Sequence, residues 1–376
     1  ATENLRGTII MKILTVVGAR PQFIKAAVVS RAIAKYNKEA SDRENIEELL
    51  VHTGQHYDDN MSDVFFREMQ IPEPSYHLGI GGGSHGAMTG RMLEALEGLL
   101  LKEKPDLVMV FGDTNSTLAG ALAAAKLHIP VAHVEAGLRS FNMNMPEEIN
   151  RILTDRISSW LFCPTETAVK NLEQEGATQW PGVRVCNVGD VMYDAALFYR
   201  ERAKPGSVVA SLLNQYQDGF YLATVHRQEN TDDVNRLRNI MTALDEIAER
   251  VPVIMPLHPR TRKYLSEAGL HLQNVCCIEP VGYFDMVCLL NHCRAVFTDS
   301  GGVQKEAYFF HKPCITMRDE TEWVELVEHG YNLLVGADRD KIIEAEQHFF
   351  AKVIDFSDNL YGNGKAGEKV VKLLMS

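Results

Sequence analysis

The sequence lacks the features that mark several common classes of protein. Its seven cysteines include no CxxC pair, and none lies beside a histidine at the spacing of zinc ligands, so no metal site is predicted. No run approaches the roughly eighteen apolar residues of a membrane span, and the opening ATENLRGTII lacks the cationic start and apolar core of a signal peptide. We therefore expect a cytoplasmic protein with reduced thiols.

Positive charge is also scarce. Acidic residues outnumber basic ones by 50 to 38, which gives a formal net charge of -12. Such a balance disfavours broad binding to the phosphates of nucleic acids. An anionic ligand must therefore meet a local cationic site.

Two glycine-rich stretches lack the context of known phosphate loops. GGGSHG, at 81–86, matches GxGxxG, but it follows PEPSYHL, in which we expect no strand. A dinucleotide site is therefore not predicted there. FTDSGGVQKEA, at 297–307, joins an apolar run to a helical pattern without the lysine of a P-loop, so a simple helix cap by Asp299 or Ser300 is one explanation.

What is present indicates two α/β domains. A chain of 376 residues exceeds what one core usually supports, and short β-rich runs alternate with helical patterns, which predicts parallel sheets covered by helices. GATQWPGVRV, at 176–185, is predicted to be the linker between them. We predict Rossmann-like domains at 11–180 and 181–358 that face a cleft, a final helix at 359–376 packed on the first domain, and an extension at 1–10.

Charged residues follow the predicted strands of the first domain, where ligands of such sheets bind. Arg20 and Lys25 follow KILTVV, and Asp113 follows LVMVF, although capping of the next helix by Asp113 or Thr114 would explain that loop equally well. Glu135 directly follows VAHV. Burial at that position would raise the pKa of its carboxyl group and suit it to proton transfer.

A later helix of this domain begins with Glu147 and Glu148, and acidic residues in a first turn are ordinary partners of the helix dipole. We interpret Glu148 as structural. In the second domain His226 and Arg227 follow the run FYLATV, where they could meet a diphosphate.

Taken together, these loops resemble the non-hydrolysing UDP-N-acetylglucosamine 2-epimerases, from about Met11 to the end of the chain. The matching blocks are GARPQFIK, HTGQHYD, FGDTNST, HVEAGLR, MPEEINR, PTE, NVGD, VHRQEN, TDSGGVQKEA and KPCITMRDETEW.

The resemblance implies two Rossmann-like domains of the glycosyltransferase-B type, a UDP-sugar as substrate, a homodimer, and no metal or nicotinamide cofactor. The family supplies sugars for cell-surface polysaccharides. Its reaction inverts C2 of the sugar by eliminating UDP to leave a 2-acetamidoglucal and then adding UDP back.

The same resemblance assigns roles to matching residues. Asp113, Glu135 and Glu147 correspond to essential acids, with the first two moving protons at C2. His226 and Arg20 would stabilise the departing phosphate, and Lys25 would tune the carboxylates.

The resemblance also explains the turn at 297–307 as a diphosphate site. Ser300 offers a hydroxyl, Gly301 and Gly302 let backbone N–H groups approach at the positive end of a helix, and Glu306 would accept hydrogen bonds from the ribose. A cap alone would not explain Glu306.

Two departures from the family pattern bear on regulation and substrate. Where other members have a charged segment that helps to bind an activating second substrate, this chain reads GIGGGSHGAMTGRML, so allosteric activation is not expected despite Gln55 and His56. SFNMNMPEEINRILTD and GDVMYDAALF resemble a branch that acts on UDP-2,3-diacetamido-2,3-dideoxyglucuronic acid. In that branch a cation would meet the C6 carboxylate, and the candidates are Arg139, Arg260 and Arg318.

The expected activity is epimerisation of UDP-GlcNAc to UDP-ManNAc, with the diacetamido uronic acid as the alternative substrate. A hydrolysing 2-epimerase, a UDP-sugar glycosyltransferase and a regulatory UDP-sugar binder are more distant alternatives. Neither a glycosyltransferase nor a binder would need three acids around C2.

Overall fold

The computed structural model describes residues 9–40, 45–55 and 63–376. The chain divides into two units, one of residues up to Ala195 together with Asn359–Ser376, the other of Ala196–Asp358. In each unit a parallel sheet is flanked by helices. The predicted α/β class, with two Rossmann-like sheets, is confirmed.

The first unit has a seven-stranded sheet in the order β3-β2-β1-β4-β5-β6-β7, in which every pairing is parallel. Its strands are β1 Ile9–Val17, β2 Asn45–His52, β3 Tyr76–His77, β4 Leu107–Phe111, β5 Val131–Val134, β6 Trp160–Cys163 and β7 Arg184–Asn187. The strand order reverses between β1 and β4, and ligands of open α/β sheets bind at such a point.

The helices of the first unit connect these strands. They are α1 Arg20–Glu39, α2 Asp63–Glu68, α3 His85–Glu103, α4 Asn115–Lys126, α5 Pro146–Ile157, α6 Glu166–Gln174 and α7 Val191–Arg200, which runs past the division. Pro21 and Pro146 lie in first turns, where a missing N–H costs nothing.

One expectation about this unit was wrong. PEPSYHL contains the two-residue strand β3, which pairs with the end of β2. Such a short edge strand is added by tertiary pairing and leaves almost no pattern in the sequence. The glycines that follow lead into α3, whose first turn is capped by Ser84.

The turns after β1 and β4 are joined by a buried glutamine. Gln22 accepts hydrogen bonds from the N–H groups of Gly18 (2.8 Å) and Ala19 (3.1 Å), and donates to the carbonyl of Phe111 (2.7 Å). A Cβ on Gly18 would lie 2.2 Å from Oγ of Ser116. The two loops at the reversal point are thus held in fixed register.

The second unit has a six-stranded parallel sheet in the order β10-β9-β8-β11-β12-β13. Its strands are β8 Tyr221–Thr224, β9 Val253–Pro256, β10 Cys276–Ile278, β11 Ala295–Thr298, β12 Cys314–Thr316 and β13 Asn332–Leu334. Its helices are α8 Ser207–Gln215, α9 Gln228–Thr231, α10 Val234–Ala248, α11 Pro259–Glu267, α12 Tyr283–His292, α13 Gly301–Phe309, α14 Val324–Glu328 and α15 Arg339–Phe350. Here the order reverses between β8 and β11.

The last helix, α16 Ala366–Leu374, belongs to the first unit and packs on α1. Gly367 permits this close approach, since a Cβ there would lie 2.8 Å from Val28. Asp194 accepts hydrogen bonds from the first N–H groups of α16, of Ala366 (3.0 Å) and Gly367 (2.9 Å). The division falls after Ala195 rather than near 180, because β7 completes the first sheet and Asp194 caps α16.

Each unit has its own apolar core. In the first, Leu14, Val16, Val108 and Val110 on the central strands are fully buried against α3 and α4. In the second, residues of α10 and α15 cover one face of the sheet. All seven cysteines are free. Among the described residues no helix is long and apolar enough to cross a membrane, and no three His, Cys, Asp or Glu side chains are grouped as metal ligands.

The carboxyl group of Glu48 on β2 should make stability depend on pH. Burial raises its pKa from 4.5 to about 7, although the hydroxyl of Ser30 donates to it at 2.8 Å. This acid therefore favours folding when protonated, and the benefit is lost as the pH rises from about 4.5 through 7, by roughly 3 kcal/mol at most.

We expect Glu48→Gln to raise the melting temperature relative to wild type more at pH 8 than at pH 5, as measured by calorimetry. The exposed Glu73 provides a control in Glu73→Gln. An equal effect of Glu48→Gln at both pH values would contradict the prediction.

Candidate functional site

Asp113 lies where β4 ends, two residues beyond Phe111. Gly112, with a φ of 69°, turns the chain there. Oδ2 of Asp113 is 2.5 Å from Nη2 of Arg151 on α5, and the side chain of Asp113 is 33% exposed. The helix after it is capped by Thr114, so the cap is the neighbouring residue and the Asp113 carboxylate is not used for it.

Glu135 follows β5, the strand beside β4 in the sheet. It has a φ of 73°, which is unusual for a residue with a side chain, and only 8% of it is exposed. Lys25 Nζ lies 2.9 Å from its Oε2 and also contacts Oε1. The buried carboxylate thus has a cationic partner.

Lys25 is positioned by the second turn of α1. Burial lowers the pKa of its ammonium group, but the charges of Glu135, Asp113 and Asp190 outweigh burial and raise the pKa above its usual value. Lys25 therefore stays charged among three carboxylates. Arg20, the first residue of α1, is partly buried at the same edge of the sheet.

Glu147 and Glu148 in the first turn of α5 have different environments. Glu148 is fully buried and accepts hydrogen bonds from the N–H and the hydroxyl of Ser140. Glu147 is exposed, and among the described residues it makes no hydrogen bond or ion pair. The structure therefore does not bring Glu147 into contact with Asp113 or Glu135.

Arg139 forms part of a buried network. Its guanidinium donates to Asp155 (2.8 Å) and to both carboxylate oxygens of Glu175 (2.7 and 2.9 Å), and its side chain is 2% exposed. Asp155 is also 2.6 Å from Nδ1 of His133. Arg139 thus serves the fold, which removes it from the candidates for binding a C6 carboxylate.

The other two candidates for binding a C6 carboxylate are also paired with acidic side chains, but they are less buried than Arg139. Arg260 donates to Thr231 (3.0 Å) and Asp232 (2.5 Å) and is 30% exposed. Arg318 donates to Glu322 (2.8 Å) and is 10% exposed.

In the second unit Asp299 organises the loop that carries His226 and Arg227. It follows β11, which pairs with β8 so that Thr224 and Thr298 lie side by side. Asp299 is fully buried and accepts hydrogen bonds from the backbone N–H groups of His226 (3.1 Å) and Arg227 (3.0 Å). It also accepts one from the side chain of Asn230 (3.1 Å).

His226 projects from this loop with 41% of its side chain exposed. Burial lowers the pKa of its imidazole, and His258 and Arg227 lower it further, against the opposing effect of Asp299. A neutral imidazole is therefore favoured at neutral pH, and it can donate one hydrogen bond.

The start of α13, where the sequence predicts a diphosphate site, is an N-capped helix terminus. The hydroxyl of Ser300 accepts a hydrogen bond from the N–H of Val303 (3.4 Å), as an N-cap does. Gly302 is exposed, and a Cβ there would contact nothing within 4 Å. Gly301 has no such room, because a Cβ would lie 2.1 Å from Oε1 of Glu322. The backbone at Gly302 is thus open at the positive end of the helix dipole.

Glu306, about a turn and a half further along α13, is partly buried. Burial raises the pKa of its carboxyl group to about 7, although the charge of Lys305 opposes this. Among the described residues it has no hydrogen-bond partner, so the carboxylate is free to accept one from a ligand.

The sequence did not indicate two residues on which these loops depend. Arg151 appeared only as the last letter of MPEEINR, and Asp299 only as a possible cap. A signal existed for Arg151, since it lies three residues after Glu148 and therefore on the same helix face. The partner of Asp299 is 73 residues away, which no local pattern reveals.

Comparison with known proteins identifies the class that the fold and these loops define. A sequence model for UDP-N-acetylglucosamine 2-epimerase matches residues 38–375. The UDP-2,3-diacetamido-2,3-dideoxy-D-glucuronate 2-epimerase of Pseudomonas aeruginosa is 57% identical over 97% of this chain and 99% of its own. The UDP-N-acetylglucosamine 2-epimerase of Methanocaldococcus jannaschii is 46% identical, with the same shares covered.

Solved structures similar to this chain belong to the same family. The M. jannaschii enzyme in complex with UDP-GlcNAc and UDP has a TM-score of 0.80 over 97% of this chain and 99% of that one. The enzyme from Neisseria meningitidis bound to UDP-GlcNAc is 33% identical, with a TM-score of 0.81 over 97% and 100%. The protein is thus an isomerase that acts on UDP-sugars. It belongs to the UDP-N-acetylglucosamine 2-epimerase family, as the sequence predicted.

The role of Asp299 can be tested by amide hydrogen exchange. In Asp299→Ala the N–H groups of His226 and Arg227 lose a charged acceptor, and we expect their exchange to accelerate about tenfold or more. The control is Asp319→Ala, since Asp319 is 71% exposed and pairs with Arg236. Unchanged protection of the 221–231 peptide in Asp299→Ala would show that other contacts hold the loop.

Proposed function

We propose that this enzyme inverts C2 of a UDP-2-acetamido sugar by eliminating UDP and adding it back. A carboxylate removes the C2 proton, the C1–O bond breaks, and its electrons leave on the β-phosphate of UDP, which gives a C1=C2 double bond. Protonation of the opposite face and return of UDP to C1 complete the inversion.

The observation that carries this proposal is the pair of carboxylates at neighbouring strand ends. Asp113 and Glu135 follow β4 and β5, which are hydrogen-bonded neighbours, and adjacent strands lie about 5 Å apart. The C2 proton is not acidified by a carbonyl group, so its removal and return need a positioned base and acid. We propose these two side chains for both tasks without assigning a face to either, and Glu147 as a third acid.

The remaining residues are proposed to hold the leaving group. A neutral His226, Arg227 and Arg20 can donate to the diphosphate as charge develops on it. The hydroxyl of Ser300 and the N–H groups of Gly301 and Gly302 can do the same. Lys25, bonded to Glu135, supplies positive charge beside the proposed acids. No metal or nicotinamide is proposed for this chemistry.

We propose UDP-2,3-diacetamido-2,3-dideoxyglucuronic acid as the preferred substrate. The observation in its favour is the 57% identity to the Pseudomonas enzyme that bears this name, across nearly the whole of both chains. UDP-GlcNAc is the second candidate, because solved relatives at 46% and 33% identity bind it. Either substrate would place the enzyme in the supply of sugars for cell-surface polysaccharides.

We further propose a cytoplasmic homodimer. The exposed side of α5 carries Ile149 and Leu153, and its N-cap residue is Met145; the three are 40%, 47% and 37% exposed and lie at spacings of four residues. An apolar stripe of this kind suits contact with a second copy.

We also propose that the enzyme works without activation by a second substrate molecule. Oε1 of Gln55 already accepts hydrogen bonds from the N–H (3.0 Å) and the hydroxyl (2.6 Å) of Ser116. Gln55 is thus engaged within its own unit. His56 lies outside the described residues.

Incubation with each UDP-sugar in deuterated water tests the function. We expect the wild-type enzyme to place deuterium at C2 of the true substrate, followed by NMR. Asp113→Asn and Glu135→Gln should slow this exchange at least about 100-fold while UDP affinity changes less than about threefold. Glu173→Gln, which alters an exposed carboxylate, is the control.

The same experiment separates the alternatives. Free ManNAc or its uronic counterpart accumulating with UDP would indicate a hydrolysing epimerase. Absence of C2 deuterium with both sugars would rule out the proposed reaction. Full exchange in Asp113→Asn or Glu135→Gln would refute the role of that carboxylate.

UDP affinity should depend on the protonation of Glu306. Without a ligand, the carboxyl group of Glu306 has a pKa of about 7. Ribose hydroxyls would donate hydrogen bonds to its ionised form. Binding therefore favours loss of the proton, and affinity should increase as the pH rises from 6 to 8.

Because the terminal phosphate of UDP also titrates near pH 6, the measurement is the difference between wild type and Glu306→Gln in calorimetric titrations. We expect the increase to be several-fold larger for wild type. Identical pH dependence of both proteins would show that Glu306 does not meet the ribose.

A further inference from the structure

Asp113 is held by two consecutive residues of α5 that act on different parts of it. Nδ2 of Asn150 donates to the main-chain carbonyl of Asp113 (2.9 Å) and lies 3.2 Å from Oδ1 of Asn115. Arg151 instead binds the carboxylate, with Nη2 2.5 Å from Oδ2. The backbone of the turn and the direction of the side chain are therefore fixed separately.

The contact with Arg151 uses one carboxylate oxygen and leaves the other available. In the part of the chain that the structure describes, Oδ1 of Asp113 has no hydrogen-bond partner. A side chain that is 33% exposed and tied at a single oxygen is restricted in rotation but still presents a free base.

Arg151 is itself restrained. Its side chain is only 13% exposed, and its Nη1 lies 3.9 Å from Oε1 of Glu148. Glu148 is in turn fixed by Ser140. The guanidinium therefore lies between two carboxylates, and its planar shape gives it a defined orientation that an ammonium group would lack.

We propose that Arg151 is a positioning residue for the proton transfer at C2, because it orients the Asp113 carboxylate so that Oδ1 meets the sugar. This inference rests on the proposed function. Arg151 acts through Asp113 and is not proposed to touch the substrate. A base displaced by about 1 Å can lose about 100-fold in rate, which sets the scale of the expected effect.

The test compares Arg151→Ala and Arg151→Lys with wild type by kcat, KM, UDP affinity and deuterium exchange at C2. We expect kcat and exchange to fall about 100-fold in Arg151→Ala, with KM and UDP affinity within about threefold. Arg151→Lys should be intermediate, because it restores the charge without the planar geometry. Addition of guanidinium ions at millimolar concentration should restore part of the activity of Arg151→Ala.

Arg156→Ala is the matched control, since Arg156 lies on the same helix but is exposed and stacks over Trp180. It should leave kcat and exchange unchanged. Unchanged kcat in Arg151→Ala would overturn the proposal. The proposal would also be overturned if Arg151→Ala and Arg151→Lys lost kcat to the same extent and both also lost UDP affinity and melting temperature. That pattern would show a purely structural role.

The two proposals fail in distinguishable ways. If wild-type enzyme exchanges no C2 proton with either UDP-sugar, the proposed function fails. If wild type exchanges and Arg151→Ala exchanges equally well, only the positioning role fails.

Discussion

The ion pair between Lys25 and Glu135 is the constraint on which the first unit's site depends. A carboxylate that is 8% exposed is costly to keep ionised without a partner. Lys25 supplies that partner from α1, across 110 residues of sequence. The strained backbone at Glu135, with its φ of 73°, is tolerated because the ion pair and the turn around it hold the residue in place.

The second unit also has a buried carboxylate, but backbone N–H groups rather than a cation stabilise it. Asp299 is fully buried, and N–H groups from the opposite side of the reversal point satisfy its oxygens. The carboxylate of Asp299 thus holds the loop of His226 in place from the buried side. The outer side of that loop remains accessible. In both units a buried carboxylate at the end of a strand is bonded by a residue from the other side of the reversal in strand order, Lys25 for Glu135 and His226 for Asp299.

These pairings explain why the positions of the site residues could be predicted from the sequence but their partners could not. Strand ends were recognisable from apolar runs and turn residues, so Asp113, Glu135 and His226 were found at the expected edges of the sheets. The environment of each was not recognisable, because it depends on residues far away in sequence. Arg139 looked like a cation available to a ligand, yet Asp155 and Glu175 surround it. The division near Ala195 was missed for the same reason, since β7 joins its sheet only through tertiary pairing.

Neighbouring residues of helix α5 have different roles, which the sequence pattern alone does not distinguish. Within MPEEINR the side chain of Glu147 is exposed, that of Glu148 is buried, and Asn150 and Arg151 bind different parts of Asp113. Successive residues on a helix point about 100° apart, so neighbours in sequence face different surroundings. The exposed apolar residues of the same helix, Ile149 and Leu153, share neither task. One short helix therefore carries a candidate acid, the anchor of another acid and an unpaired apolar surface. Any contact that shifts α5 would move Arg151, and with it the carboxylate of Asp113.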